Sequence, residues 1–137
     1  MSKVYLIRKA HFSAAHRLYN PEMTESDNWG IYGPCTNANG HGHNYTLEVV
    51  IAGEPDPKTG ILMNLAHLKE IVHDVVIKEM DHKNLNLDVP ALRGIIPTAE
   101  NLSIVIWKML KEKVPRGLLH EIRLRETENN LSIYRGE

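Results

Sequence analysis

The chain has 137 residues, 42% apolar and 24% charged, which is enough for one globular domain with one core and not for two. Its 16 Lys+Arg against 17 Asp+Glu leave a net charge of −1, so no field steers it onto nucleic acid or an anionic membrane surface. No run approaches the roughly 20 apolar residues of a membrane span, residues 1–9 lack the make-up of a signal peptide, and the one cysteine, Cys35, excludes an internal disulfide. The expectation is a single cytoplasmic domain over residues 1–137.

Residues 4–14 carry Val4, Leu6, Ala10, Phe12 and Ala14 at period two, which predicts a strand. From Arg17 to Gly40 no apolar period survives. A patternless stretch of that length is more often a functional loop than a plain connector, with simple disorder as the competing reading. Tyr45, Leu47, Val49 and Ile51 then share one face of a second strand, His43 to Ile51, closed by the turn cluster Glu54 to Gly60. Asn64 caps a predicted helix over 65–78 with Leu65, Leu68, Val72, Val75 and Val76 along one stripe. After a loop containing Asp81-His82, Pro97-Thr98 opens a second helix through Leu102, Val105, Ile106, Met109 and Leu110. Ile122 and Leu124, then Leu131 and Ile133, mark two last strands about the hairpin signal Glu128-Asn129-Asn130. The predicted order is ββααββ: an α+β fold with a four-stranded antiparallel sheet and both helices on one face. Such a sheet leaves two open edges, which favours oligomerisation through them.

Eight histidines stand out against 6% aromatics. His41-Gly42-His43 leads into the second strand, and residues i and i+2 of a strand project from one face, so both imidazoles can meet one ion. If the first two strands pair as a hairpin, His16 at the end of the first returns beside them. Three imidazoles without a fourth protein ligand form the donor set of a catalytic zinc, with Fe(II) or Cu(II) as alternatives. The bland alternative is polar histidines on a strand, and His11, His67, His73 and His120 are read that way.

Cys35 has polar neighbours rather than an apolar run. A cation nearby would favour its thiolate, as base or nucleophile, whereas the bland reading is a small buried residue. Asp81-His82 has the composition of an orienting carboxylate beside a proton shuttle. Glu126 continues the apolar face Ile122, Leu124, a place where a carboxylate is either paired, bound to a ligand, or emerging into solvent. A carboxylate there can accept two parallel N–H bonds.

Taken together, Phe12-Ser13-Ala14-Ala15-His16, Cys35 to Tyr45, Asp81-His82-Lys83-Asn84-Leu85, Pro97-Thr98-Ala99-Glu100-Asn101 and Glu126-Thr127-Glu128-Asn129-Asn130 resemble the 6-pyruvoyl-tetrahydropterin synthase family nearly end to end. The resemblance implies the tunnelling fold, with trimers closing their sheets into a barrel and two trimers stacking as a homohexamer. It implies His16, His41 and His43 as zinc ligands, Cys35 as proton acceptor assisted by Asp81 and His82, and Glu126 as the pterin anchor. Thr98 and Glu100 fall at further pterin-contact positions, and relatives often carry Thr where this chain has Ala99. The implied substrate is 7,8-dihydroneopterin triphosphate, with magnesium on the triphosphate as an open expectation. The implied product is 6-pyruvoyl-tetrahydropterin, formed with loss of triphosphate. The alternative is the 6-carboxytetrahydropterin synthase reaction of queuosine biosynthesis, which releases acetaldehyde and triphosphate. The spacing from Cys35 to His41 resembles the pyruvoyl branch. Rival readings are a non-catalytic metal-binding module, a generic three-histidine zinc hydrolase and a cupin-like barrel. Two amphipathic helices and the placement of Glu48 on the opposite strand face from His43 oppose the last.

Overall fold

A computed structural model describes residues 2–137. Alternating side chains build β1 (Val4–His16) and β2 (His41–Gly53), which pair antiparallel in register from Val4 opposite Gly53 to His16 opposite His41. β4 (Leu119–Thr127) adds antiparallel to β2, and β5 (Asn130–Tyr134) returns antiparallel to β4 across the turn at Glu128-Asn129. Tyr45, Leu47, Val49 and Ile51 are each 0% exposed and, with Ile122 and Leu124, form the floor of the core. That is the face the period-two pattern assigns to them.

The predicted four-stranded antiparallel sheet needs correction. Among the described residues the sheet has five strands in the order β3-β1-β2-β4-β5, and β3 (Lys83–Asn84) runs parallel to β1 beside Ala14 and Ala15. Two residues are too few to show any side-chain period. β3 is held by main-chain bonds made only after folding: His82 N–H to the Ser13 carbonyl at 2.6 Å and Leu85 N–H to the Ala15 carbonyl at 2.8 Å.

The helices also differ from the prediction in detail. The first predicted helix is α2 (Leu65–Val72), a wider π turn over His73–Ile77, and α3 (Lys78–Met80). The π turn adds a residue to the repeat, so the buried stripe runs Leu68, Ile71, Val72, Val76, Met80, while Leu65 stays exposed. The second is α4 (Ala99–Lys111), capped by Thr98, whose hydroxyl accepts from the Asn101 N–H. α4 packs on β4 and β5, and both helical stretches share one apolar cluster with the inner face of the sheet. The stretch after β1 is not patternless in space: α1 (Glu25–Tyr32) and a 3-10 turn over Gly33–Thr36 lie within it.

Candidate active site

The β1–β2 register places the three histidines. His16 is opposite His41, and Ala14 is opposite His43, so alternation along the strands turns all three rings to the core-facing side at one end of the pair. Gly40 makes the turn into β2 with φ 74°, and a Cβ there would stand 2.9 Å from the His16 carbonyl oxygen, so no side chain fits. His16 is fully buried, His41 and His43 half so.

His16 Nε2 lies 3.1 Å from His41 Nε2, and one ring nitrogen from each histidine falls within 4.8 Å of the other two. A tetrahedral ion with nitrogen bonds of ~2.0–2.1 Å holds its ligand nitrogens about 3.3 Å apart, close to the shorter spacing. His43 Nε2 is buried with no hydrogen-bond partner among the described residues. Such a nitrogen costs folding energy unless something binds it. His16 Nδ1 donates to the Pro97 carbonyl at 2.8 Å, which leaves the Nε2 lone pair free to coordinate. Burial lowers the pKa of His16, against the Pro97 bond and Glu126, which raise it. Burial likewise lowers that of His43, opposed by Glu126. Neutral imidazoles are the ligand form, so the donor set, its tautomer and the orphaned nitrogen all fit a bound divalent metal.

Glu126 closes the other side of the cluster. Its Oε1 is 3.7 Å from His43 Nε2 and its Oε2 3.9 Å from His16 Nε2. The β4–β5 register slips at this residue, leaving Glu126 without a cross-strand partner on β5. It also shares an open depression with Gly42, His43, Arg125 and Thr127. The carboxylate that interrupts the apolar run is therefore neither in the core nor simply in solvent.

Asp81 and His82 do meet: His82 Nδ1 is 3.0 Å from Asp81 Oδ2. Asp81 Oδ1 accepts the Ser13 N–H at 2.8 Å, and this bond, helped by His82, holds its carboxyl below the usual range against burial. His82 has φ 61°, the one non-glycine in the left-handed region among the described residues, and it lines a second depression with Ser13, Gly42, His43 and Asn44. The pair is thus docked against β1 near the strand ends that carry the histidines.

Other expected residues are not drawn in. Cys35 is half-buried in the Gly33–Thr36 turn, and among the described residues no hydrogen bond joins its thiol to Asp81, His82 or the histidines. Thr98 spends its hydroxyl on the α4 cap, and Glu100 is exposed in the first turn of that helix. The sequence reading missed Tyr45 and Pro97 as parts of the site. Tyr45 is on the apolar face of β2, yet its hydroxyl sits 3.3 Å from His16 Nδ1; burial first, then the Glu126 charge, raises its pKa and keeps it protonated. Its position two residues after His43 on the same face was the available signal. The Pro97 carbonyl left none, because a main-chain acceptor has no residue type.

A family model described as 6-pyruvoyl tetrahydropterin synthase matches residues 5–137. A 6-pyruvoyl tetrahydrobiopterin synthase of Homo sapiens is 43% identical over 130 residues, covering 95% of this chain and 90% of the relative. The protein of that name from Dictyostelium discoideum is 48% identical over 134 residues, covering 98% and 97%. The solved structure of Caenorhabditis elegans 6-pyruvoyl tetrahydropterin synthase superposes with a TM-score of 0.95 at 36% identity, covering 100% of this chain and 98% of that one. A Plasmodium falciparum structure at 18% identity and TM-score 0.73 shares the fold.

Proposed function

The chain belongs to the 6-pyruvoyl tetrahydropterin synthase family, and on that premise we propose that it converts 7,8-dihydroneopterin triphosphate to 6-pyruvoyl-tetrahydropterin with loss of triphosphate. The observation that carries the reading is the three-histidine cluster with its His43 Nε2, unpartnered among the described residues and flanked by the Glu126 carboxylate. Relatives at 43–48% identity carry the synthase name over nearly the whole chain.

In this proposal His16, His41 and His43 hold zinc, which when bound supplies Lewis-acid polarisation that acidifies a C–H bond of the substrate side chain. His16 is fixed for that task by Pro97 and Tyr45 on its far nitrogen. Glu126 offers two carboxylate oxygens to paired N–H groups on the pterin edge, and so sets the ring against the cluster. Cys35 accepts the proton from the side chain, assisted by a proton relay of His82 and Asp81, which orients it. Thr98 and Glu100, at the start of α4, complete the pterin pocket. The reaction needs no external oxidant: hydrogens move from side chain to ring while the triphosphate leaves with its bonding electron pair. In this proposal the chain assembles as a homohexamer whose sites lie between subunits, so groups that do not meet within one chain come together across an interface; the exposed apolar residues of β1 and β5 support such an assembly.

The test is anaerobic incubation of the zinc-loaded protein with 7,8-dihydroneopterin triphosphate, with products identified by mass spectrometry. Pyruvoyl-tetrahydropterin and triphosphate without acetaldehyde are expected. Carboxytetrahydropterin with acetaldehyde would overturn the assignment in favour of the queuosine branch.

A further inference from the structure

The turn that carries Cys35 has an unusual support. No residue of Gly33–Thr36 is fully buried, so packing alone gives this turn little hold. Hydrogen bonds do. The Leu18 N–H donates to the Cys35 carbonyl at 2.9 Å, and Arg17 Nε donates to the Thr36 carbonyl at 2.8 Å. The latter is the one side-chain hydrogen bond made to residues 33–36 among the described residues.

Arg17 is itself fixed at three points. It directly follows His16 at the end of β1. Its guanidinium carbon lies 3.8 Å from the centroid of the Tyr19 ring, a stacked contact that sets the plane of the fork. Its main chain is gripped by the Asn86 carboxamide, which accepts the Arg17 N–H at 2.7 Å and donates to the Arg17 carbonyl at 2.9 Å, as a neighbouring strand would. The Asn86 N–H is in turn held by the Asn84 side chain at the end of β3, a few residues beyond Asp81-His82. One arginine therefore ties the histidine strand, the cysteine turn and the segment that follows the Asp81-His82 pair.

We propose that Arg17 is the positioning residue for Cys35: its planar Nε–H, set by Tyr19 and Asn86, fixes the Cys35 turn against the His16 end of β1. This rests on the reading of Cys35 as the proton acceptor. Lysine cannot substitute, because its flexible ammonium has neither the stacked plane nor a donor at that point along the stem.

The experiment uses full-length Arg17→Lys and Arg17→Gln with metal content checked. Two quantities are read: steady-state kcat and KM for 7,8-dihydroneopterin triphosphate, and the rate of iodoacetamide alkylation of Cys35. The chain has no other cysteine, so intact mass reports that thiol alone. A displacement of the order of 1 Å at a reacting group costs roughly 100-fold, so kcat is expected to fall by about that factor in both variants while KM holds. Alkylation is expected to become faster as the turn loosens, with metal retained. A rise in KM at unchanged kcat would overturn the proposal and make Arg17 a substrate contact. Loss of kcat with wild-type alkylation would also overturn it. If Arg17→Gln does not fold, Arg17→Lys, which keeps the charge and stem, carries the same readouts. Cys35→Ala is measured alongside. Wild-type turnover in that variant sinks the proton-acceptor reading, while the alkylation rates still report whether Arg17 holds the turn.

Discussion

His41 belongs to a set whose other ligand atoms are preformed, since His16 is locked by Pro97 and His43 Nε2 is already stripped of water. His41→Ala is therefore expected to lose stoichiometric metal without losing the fold, as read by elemental analysis of the purified variant beside its circular dichroism. Wild-type metal content would reject the ligand set. Glu126→Gln keeps the shape and one acceptor but removes the charge. Hydrogen bonds to charged groups contribute about 1.5–3 kcal/mol, so pterin binding is expected to weaken by roughly ten-fold or more. A fluorescence titration with neopterin measures it, and an unchanged Kd would remove Glu126 from the anchor role. At this scale much of the site is legible in the sequence, because His-x-His on a strand and a carboxylate breaking an apolar run are local signals. The bond from Asp81 to the Ser13 N–H is not legible, since its two ends are 68 residues apart.

Among the elements, α4 does two jobs. Its N-terminal cap is the Thr98 hydroxyl, and the residue before the cap provides the carbonyl that orients His16. Thr98→Ala is expected to cost about 1 kcal/mol, seen as a lower urea midpoint, and Thr98→Ser is expected to recover most of it. An unchanged midpoint in Thr98→Ala would mean the cap contributes nothing. The two amphipathic helices and β2 announce themselves by period, because each buries an apolar stripe. α1 does not, for a physical reason. Its one buried residue is Asn28, whose side chain accepts the Asn20 N–H and donates to the carbonyls of Asn20 and Thr24. A helix anchored through a polar residue has no apolar period to detect.

Across the whole molecule the face of the sheet away from the helices is not an ordinary solvent face. Tyr5 and Ile7 on β1 and Leu131 and Ile133 on β5 are 41–56% exposed there. On the same face Glu121 is 3% exposed between Arg123 and Arg135, with Arg135 Nε at 2.7 Å. Burial alone would raise the Glu121 pKa, but the two guanidinium groups outweigh it and the pKa falls below its ordinary 4.5. A carboxylate depressed on folding adds stability that is present above its unfolded pKa and lost as pH falls through the folded one. The acid limb of stability below pH 4.5 is thus expected to be flatter in Glu121→Gln, by denaturant titration at several pH values. An identical slope would show that the ion pairs do not respond to folding. The proposed homohexamer is expected to sediment as six 15.6 kDa chains, and Ile133→Asp to lower that mass. A wild-type monomer would remove the assembly from the proposal.

The sequence by itself determined the α+β class, the two long strands, the two amphipathic helices and the histidine, carboxylate and Asp-His candidates, since these depend on period and residue type within short windows. Only the tertiary structure decided the fifth strand, the π turn, the orientation of His16 by Pro97 and the strut from Arg17 to the cysteine turn. Apart from the π turn, each of these is a bond to a main-chain group of a segment distant in sequence. The peptide group is the same at every residue, so its partner is chosen by the packing of everything else.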